Sequence, residues 1–117
     1  MTGDVGQTFA LETAERDGCA VLTASGTIDY LSAETLRAAI RQVPARCVVL
    51  DLAAVTYVDS TALATLLTSD GFTRGRGARL RLAGPGGQLI RLLQTTNLDR
   101  MLDVYDDVTA AVTSRTQ

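Results

Sequence analysis

Histidine and lysine are absent from this sequence of 117 residues, and all eleven positive charges are arginines. Histidine is the commonest general base and metal ligand, so a Ser-His-Asp triad is excluded, and zinc would have only two cysteines and carboxylates as ligands. The net charge is −2, so the chain lacks the basic excess that marks proteins that bind nucleic acid. We therefore expect no metal, no cofactor and no direct contact with nucleic acid.

Cysteine is scarce, and Cys19 and Cys47 each lie inside an apolar run. Their spacing matches no metal-binding motif. We predict two buried, reduced thiols, as is usual for a cytosolic protein. A disulfide is possible if the two strands are neighbours, although nothing in the sequence requires one.

Long apolar runs are missing as well. No segment approaches the roughly eighteen apolar residues of a membrane span. Residues 1–7 lack the basic cluster and apolar stretch of a signal peptide. We expect a cytoplasmic protein that does not contact the membrane. The length fits one domain over residues 1–117, with a core at about residues 8–112 and short disordered tails.

The chain begins with a predicted β-hairpin. Residues 8–12 alternate in polarity, the segment Arg16-Asp17-Gly18 has turn chemistry, and residues 20–24 resume a strand composition. A helix follows, and we expect Ser32 to cap it. The run Val48–Leu52 is almost entirely apolar, as expected for a strand that is covered on both faces.

Helices and strands alternate through the rest of the chain. A second helix should begin near Ser60. In the strand that follows, Arg79 and Arg81 alternate with leucines, so we expect both arginines to face solvent. A short helix, a brief strand near Val104 and a final helix complete the order. This order predicts an α/β fold, in which a mixed sheet of about four to five strands packs against helices.

Three segments carry residues suited to chemistry or binding. Ser60 follows Asp59 at a strand-to-helix junction, where either residue could simply cap the helix. A hydroxyl at a helix N-terminus is also a favourable place for a phosphate, because the first-turn N–H groups and the helix dipole attract negative charge. Asp29 leaves the second strand and could merely start a loop. The segment Gly84-Pro85-Gly86-Gly87 lacks the Gly-Lys-Ser/Thr ending of a P-loop and is interpreted as a tight turn.

Four segments together form a familiar pattern. They are Gly26-Thr27-Ile28-Asp29, Ser32-Ala33-Glu34-Thr35-Leu36, Val48-Val49-Leu50-Asp51-Leu52 and Val58-Asp59-Ser60-Thr61-Ala62-Leu63. In this order and spacing they resemble the two signatures of STAS domains, especially those of bacterial anti-sigma factor antagonists. With the later strand and helix, the resemblance covers about residues 8–112.

The resemblance implies a partner switch rather than an enzyme. The unphosphorylated antagonist would bind an anti-sigma factor that is also a serine kinase, and a sigma factor would be released. The kinase would then phosphorylate Ser60, with Thr61 as the second choice, and a serine phosphatase would reset the switch. The protein would act as a monomer or weak dimer. The implied partner surface comprises Asp29, Tyr30, Asp59, Ser60, Thr61 and Ala62.

Several readings stay open beside this one. Ala62 and Ala64 stand where many antagonists have glycine, and their methyl groups could hinder a partner. A STAS adaptor or scaffold subunit of a lipid-transport or stress-sensing assembly would use Ser60 only as a helix cap. A phospho-aspartate receiver domain would need a late lysine, which is absent. A small enzyme built on Asp29, Asp59 and Ser60 would lack histidine and lysine.

Overall fold

The computed structural model describes residues 9–114, which form a five-stranded sheet with four helices. The strands are β1 (Ala10–Arg16), β2 (Cys19–Ile28), β3 (Cys47–Val58), β4 (Arg79–Ala83) and β5 (Asp103–Tyr105). The helices are α1 (Tyr30–Gln42), α2 (Ser60–Gly75), α3 (Gly87–Thr95) and α4 (Val108–Thr113), with a short 3-10 turn at Leu98–Arg100. The predicted α/β class and mixed sheet are confirmed.

The strands lie side by side in the order in which they occur along the chain. β1 is antiparallel to β2, and the other neighbouring pairs are parallel. The hairpin is tight because Asp17 and Gly18 both adopt positive φ, at 53° and 83°. Such a pair makes the two-residue turn whose twist matches the strands. Thr8, at the start of the predicted first strand, lies outside the described residues.

The first part of the central strand β3 is buried on both faces, as the apolar composition of Val48–Leu52 predicted, whereas the strand continues to Val58 with mostly exposed side chains. Val48, Val49 and Leu50 are fully buried. Because successive strand residues point to opposite faces, Val48 and Leu50 join the core under α1, α2 and α3, whereas Val49 packs beneath α4.

Among residues 9–114, no helix combines the length and the apolar character needed to cross a bilayer.

The predicted cap of the first helix was wrong. α1 begins at Tyr30, and Asp29 rather than Ser32 is its N-cap. Both residue types cap helices well, but β2 continues to Ile28 and therefore reaches the helix three residues earlier than expected. Ser32 takes the third helical position, where it completes the cap.

The predicted exposure of Arg81 was also wrong. Arg81 is only 8% exposed, because the sheet face on which it lies is covered by α4. Its guanidinium donates hydrogen bonds to the carbonyls of Ala111 and Ser114 at the end of that helix. Arg79 is half-buried and pairs with Asp103 on β5. Alternation placed both arginines on one face correctly, but it could not show that a helix docks there.

The two cysteines form a disulfide, contrary to the prediction of reduced thiols. Cys19 and Cys47 begin β2 and β3, and the parallel register that pairs Ala20 with Val48 sets the cysteines opposite each other. Their Cα atoms are 4.6 Å apart, within the range that a disulfide spans. Cys19 is buried, as predicted, whereas Cys47 is only half-buried. The bond ties two central strands at the edge where they begin.

Candidate functional site

Two helices start side by side at the carboxyl edge of the sheet. β2 ends at Ile28 and β3 ends at Val58, and these two residues are paired in the parallel register. A single residue then separates each strand from its helix, Asp29 before α1 and Asp59 before α2. The parallel pairing therefore brings together two aspartates that lie thirty positions apart in the sequence. Loops at this edge of parallel sheets are a common location for binding sites.

Asp29 makes a complete capping box at the start of α1. Its carboxylate accepts hydrogen bonds from the N–H groups of Leu31 at 3.0 Å and Ser32 at 3.1 Å. The Ser32 hydroxyl oxygen in return accepts from the Asp29 N–H at 2.8 Å. The backbone hydrogen bond from Ser32 is the main cause that lowers the pKa of Asp29 below its usual value, against an opposing contribution from desolvation. Asp29 therefore carries a negative charge at neutral pH.

Asp59 caps α2 and is joined to the neighbouring strand. Its carboxylate accepts from the Ala62 N–H at 3.0 Å, and its own N–H donates to the Ile28 carbonyl at 3.3 Å. Ser60 is the first residue of α2 and is exposed, whereas Thr61 is half-buried. The cap role considered for Ser60 thus belongs to Asp59. The Ser60 side chain makes no hydrogen bond with any residue from 9 to 114, so its hydroxyl faces solvent at the N-terminus of the helix.

Ala62 and Ala64 occupy different environments. Ala62 is fully buried in the core beneath α2, so it supports the predicted partner surface from below and its side chain cannot contact a partner. Its methyl group is therefore no obstacle to an approaching protein. Ala64 is exposed on the helix surface. The sequence could not separate the two, because the face of α2 that is buried depends on how the helix docks on the sheet.

Large apolar side chains flank both aspartates at the surface. Tyr30 is 70% exposed, Leu31 is 78% exposed and Tyr57 is 48% exposed. A shallow depression of about 320 Å³ lies beside Asp29 and includes Phe9 and Leu31 in its lining. Tyr30 was predicted to belong to the partner surface, whereas the exposure of Leu31 and Tyr57 was not predicted. In the sequence, Leu31 and Tyr57 are merely apolar residues near a helix cap. They become notable only once the structure shows that their side chains are exposed.

Gln88, the second residue of α3, also contacts this edge and was missed. Its side-chain Oε1 accepts from the Val58 N–H at 3.1 Å, and its Nε2 donates to the Val58 carbonyl at 3.1 Å. The chain turns before it, as predicted, with Gly84 at a φ of 63° and Gly86 as the N-cap, but the turn is one residue shorter than expected because α3 begins at Gly87. This turn carries Gln88 to the end of β3, immediately before Asp59.

The arrangement places polar groups and exposed apolar side chains together at one surface, as a site of recognition does. The exposed Ser60 hydroxyl lies at a helix N-terminus next to the capping residue Asp59, and exposed apolar side chains lie at the same edge of the sheet. The carboxylates of Asp29 and Asp59 both accept backbone hydrogen bonds as helix caps. Charge added at Ser60 would change a surface and leave the core beneath it unchanged.

Comparison with known proteins agrees with this geometry. Residues 10–111 match the STAS domain family. An anti-sigma factor antagonist from Mycobacterium paratuberculosis is 26% identical, with a TM-score of 0.80 over 92% of this chain and 93% of that chain. An anti-sigma factor antagonist (STAS) domain protein from Planctomyces limnophilus is 17% identical, with a TM-score of 0.75 over 87% of this chain and 94% of that one.

A third similar structure is the Bacillus cell fate determinant SpoIIAA in its phosphorylated form. It is 20% identical to this chain, with a TM-score of 0.66, and the match covers 88% of this chain and 96% of that one. At this identity the likeness concerns the fold alone. One conclusion follows from the mixed five-stranded sheet, the two helices that start at its carboxyl edge and the family match over almost the whole chain. This chain belongs to the STAS domain family.

Proposed function

We propose that this protein is an anti-sigma factor antagonist that is switched off by phosphorylation of Ser60. In its unphosphorylated form it binds a cognate anti-sigma factor serine kinase, and a sigma factor is released. The observation that carries the proposal is the exposed Ser60 hydroxyl at the start of α2, next to Asp59 and at the sheet edge that also carries exposed apolar side chains. Similarity to anti-sigma factor antagonists supports the class of partner.

Electrostatics explains how one phosphate would abolish binding. A phosphoserine carries about −1.5 to −2 charges at neutral pH. At Ser60 it would join the charges of Asp59 and Asp29 at one edge of the sheet. A partner that covers Tyr30 and Leu31 would have to desolvate this charge, and burying an unpaired charge costs several kcal/mol. Since about 1.4 kcal/mol is tenfold in affinity, one phosphate is sufficient to release the partner.

The fold would tolerate the same phosphate. Ser60 is the first residue of α2, where the helix dipole and the first-turn N–H groups favour negative charge. Its side chain is exposed, so three added phosphate oxygens displace water and no core atom. Thr61 is half-buried and is therefore the second choice for modification. A serine phosphatase would restore the binding form.

The remaining features of the switch rest on the sequence. The protein would act without catalysis of its own, in the cytoplasm, as a monomer or weak dimer. The competing proposal is a STAS adaptor or scaffold subunit in which Ser60 is never modified. Both proposals use the same surface, so the response of binding to charge at Ser60 separates them.

The test is a binding measurement with purified anti-sigma factor kinases from the protein's own cell. We expect the unmodified chain to bind one of them and Ser60→Asp to weaken the dissociation constant by tenfold or more. Thr68→Asp is the matched control, because it places the same charge on an exposed position of the same helix, eight residues away. It should bind like the unmodified chain. Binding of Ser60→Asp with unchanged affinity, or no binding to any of these kinases, would overturn the proposal.

A further inference from the structure

The last part of β3 has a strand neighbour on one side only. β4 pairs with β3 from Cys47 to Asp51, and β3 then runs on to Val58 with only β2 beside it. The free edge borders a groove of about 120 Å³ between β3 and the start of α3. A free edge presents unpaired backbone N–H and carbonyl groups. The residue that precedes Asp59 and Ser60 lies at the end of this edge.

Gln88 supplies the missing partner at that point. A carboxamide carries one acceptor oxygen and N–H donors, which is the same pair of groups that a strand residue offers to its neighbour. Its Oε1 and Nε2 each lie 3.1 Å from the Val58 nitrogen and oxygen, respectively. Both polar groups of Val58 are therefore bonded as they would be in a sheet ladder, but by a side chain thirty residues away.

The consequence concerns the peptide unit between Val58 and Asp59. Its carbonyl accepts from Gln88 Nε2 at 3.1 Å, and its N–H donates to the Ile28 carbonyl at 3.3 Å. This one peptide is thus held from both sides, by α3 on one and by β2 on the other. Its plane determines the direction in which the chain enters α2, and so where Asp59 and Ser60 lie.

We infer that Gln88 is a positioning residue for Ser60. It fixes the Val58–Asp59 peptide and thereby the orientation in which the serine hydroxyl meets a kinase. The Gln88 side chain lies outside the hydrophobic core, so its loss leaves packing intact and frees only the end of β3. Water entering the groove satisfies the freed groups without holding them in one geometry. The inference rests on the proposed phosphorylation of Ser60 and adds a residue on which that step depends.

The variants are Gln88→Ala, Gln88→Glu and a matched control on the same helix. Gln88→Glu keeps an acceptor for the Val58 N–H but has no donor for the Val58 carbonyl. Gln94→Ala removes another exposed glutamine of α3, whose side chain makes no hydrogen bond with any residue from 9 to 114. Amide hydrogen exchange at Val58 reports the bond to Gln88 Oε1, and exchange at Asp59 reports the held peptide itself. Initial rates of Ser60 phosphorylation give KM and kcat separately.

We expect Gln88→Ala to speed exchange at Val58 about tenfold, the effect of losing hydrogen bonds of ordinary strength. We also expect its kcat/KM for phosphorylation to fall by a similar factor, with a thermal midpoint lowered by only about 3–8 °C, so that the variant stays folded in the assay. Gln88→Glu should follow the same direction, and Gln94→Ala should match the wild type in every readout.

Wild-type exchange at Val58 in Gln88→Ala would overturn the inference. So would faster exchange accompanied by a wild-type kcat/KM. Failure of the proposed function is distinguishable from both results, because it appears as absence of phosphate on the wild-type chain itself.

Discussion

Asp29 and Ser32 cap each other across the first turn of α1. The Asp29 carboxylate accepts the Ser32 N–H at 3.1 Å, while the Ser32 hydroxyl oxygen accepts the Asp29 N–H at 2.8 Å. The same hydroxyl donates to the Thr27 carbonyl at 2.9 Å, so the cap is anchored to the end of β2. This network fixes the chain direction at the point where the exposed Tyr30 and Leu31 leave the sheet.

The cap makes the ionisation of Asp29 sensitive to folding. Its hydrogen bonds, chiefly the backbone bond from Ser32, lower the pKa of Asp29 in the folded state. The carboxylate therefore contributes stability that is complete above its unfolded pKa of about 3.9 and is lost as the pH falls through the lower folded value. Carboxyl carbon chemical shifts in an NMR titration should show a pKa of Asp29 below the value of about 3.9 that is usual for an aspartate. A pKa for Asp29 at or above its usual value would contradict the observed cap.

Tyr30 and Leu31 should matter for binding and little for stability. Both are largely exposed, so truncation to alanine removes contact area for a partner without opening the core. Aromatic residues often dominate interfaces, and we expect Tyr30→Ala to weaken kinase binding by about 1.4–3 kcal/mol, which is tenfold or more. Met101→Ala is the control. Met101 is 56% exposed, but it precedes β5 and so lies where the parallel strands begin, whereas Tyr30 lies where they end. Equal losses from both variants in calorimetric titrations would place the binding surface elsewhere.

Arg81 should stabilise the end of α4. Arg81→Ala leaves the carbonyls of Ala111 and Ser114 without the charged donor that now reaches them, and it removes a buried side chain. Hydrogen bonds from charged groups contribute about 1.5–3 kcal/mol, so we expect urea unfolding to show a loss of this size. Arg91→Ala, on the exposed surface of α3, should change stability by less than about 0.5 kcal/mol. Equal free energies of unfolding for the two variants would contradict a stabilising role of Arg81.

The disulfide should form in the purified protein under air. The intact mass of the protein without reductant is then lower, by the mass of two hydrogen atoms, than its mass after reduction. The bond closes a loop with a sequence separation of 28, for which chain entropy gives about 3–4 kcal/mol of stabilisation. We expect reduction to lower the free energy of unfolding by about this amount. The double variant Cys19→Ser/Cys47→Ser should be insensitive to reductant. Two free thiols in the oxidised sample would contradict the structure.

The sequence predicted the elements better than the contacts between them. Apolar periodicity located the buried strand β3 and the junction at Asp59, because those signals are local. The burial of Arg81 and the Cys19–Cys47 bond depend on how distant segments dock and on the register of β2 against β3. Gln88 illustrates the same limit, since its partner Val58 is thirty residues away and an isolated glutamine has no distinctive pattern. These features were missed because they arise from contacts between distant segments, which leave no local pattern in the sequence.

The central claim is the modification of Ser60, and phosphate mapping tests it most directly. The wild-type chain, Ser60→Ala and Thr61→Ala are each incubated with ATP and the serine kinases of the same cell, and the products are analysed by intact mass and peptide sequencing. We predict a single phosphate on Ser60 in the wild type and in Thr61→Ala, and none in Ser60→Ala. Phosphate on Thr61 instead, or no phosphate on a folded wild-type chain with any of these kinases, would contradict the account.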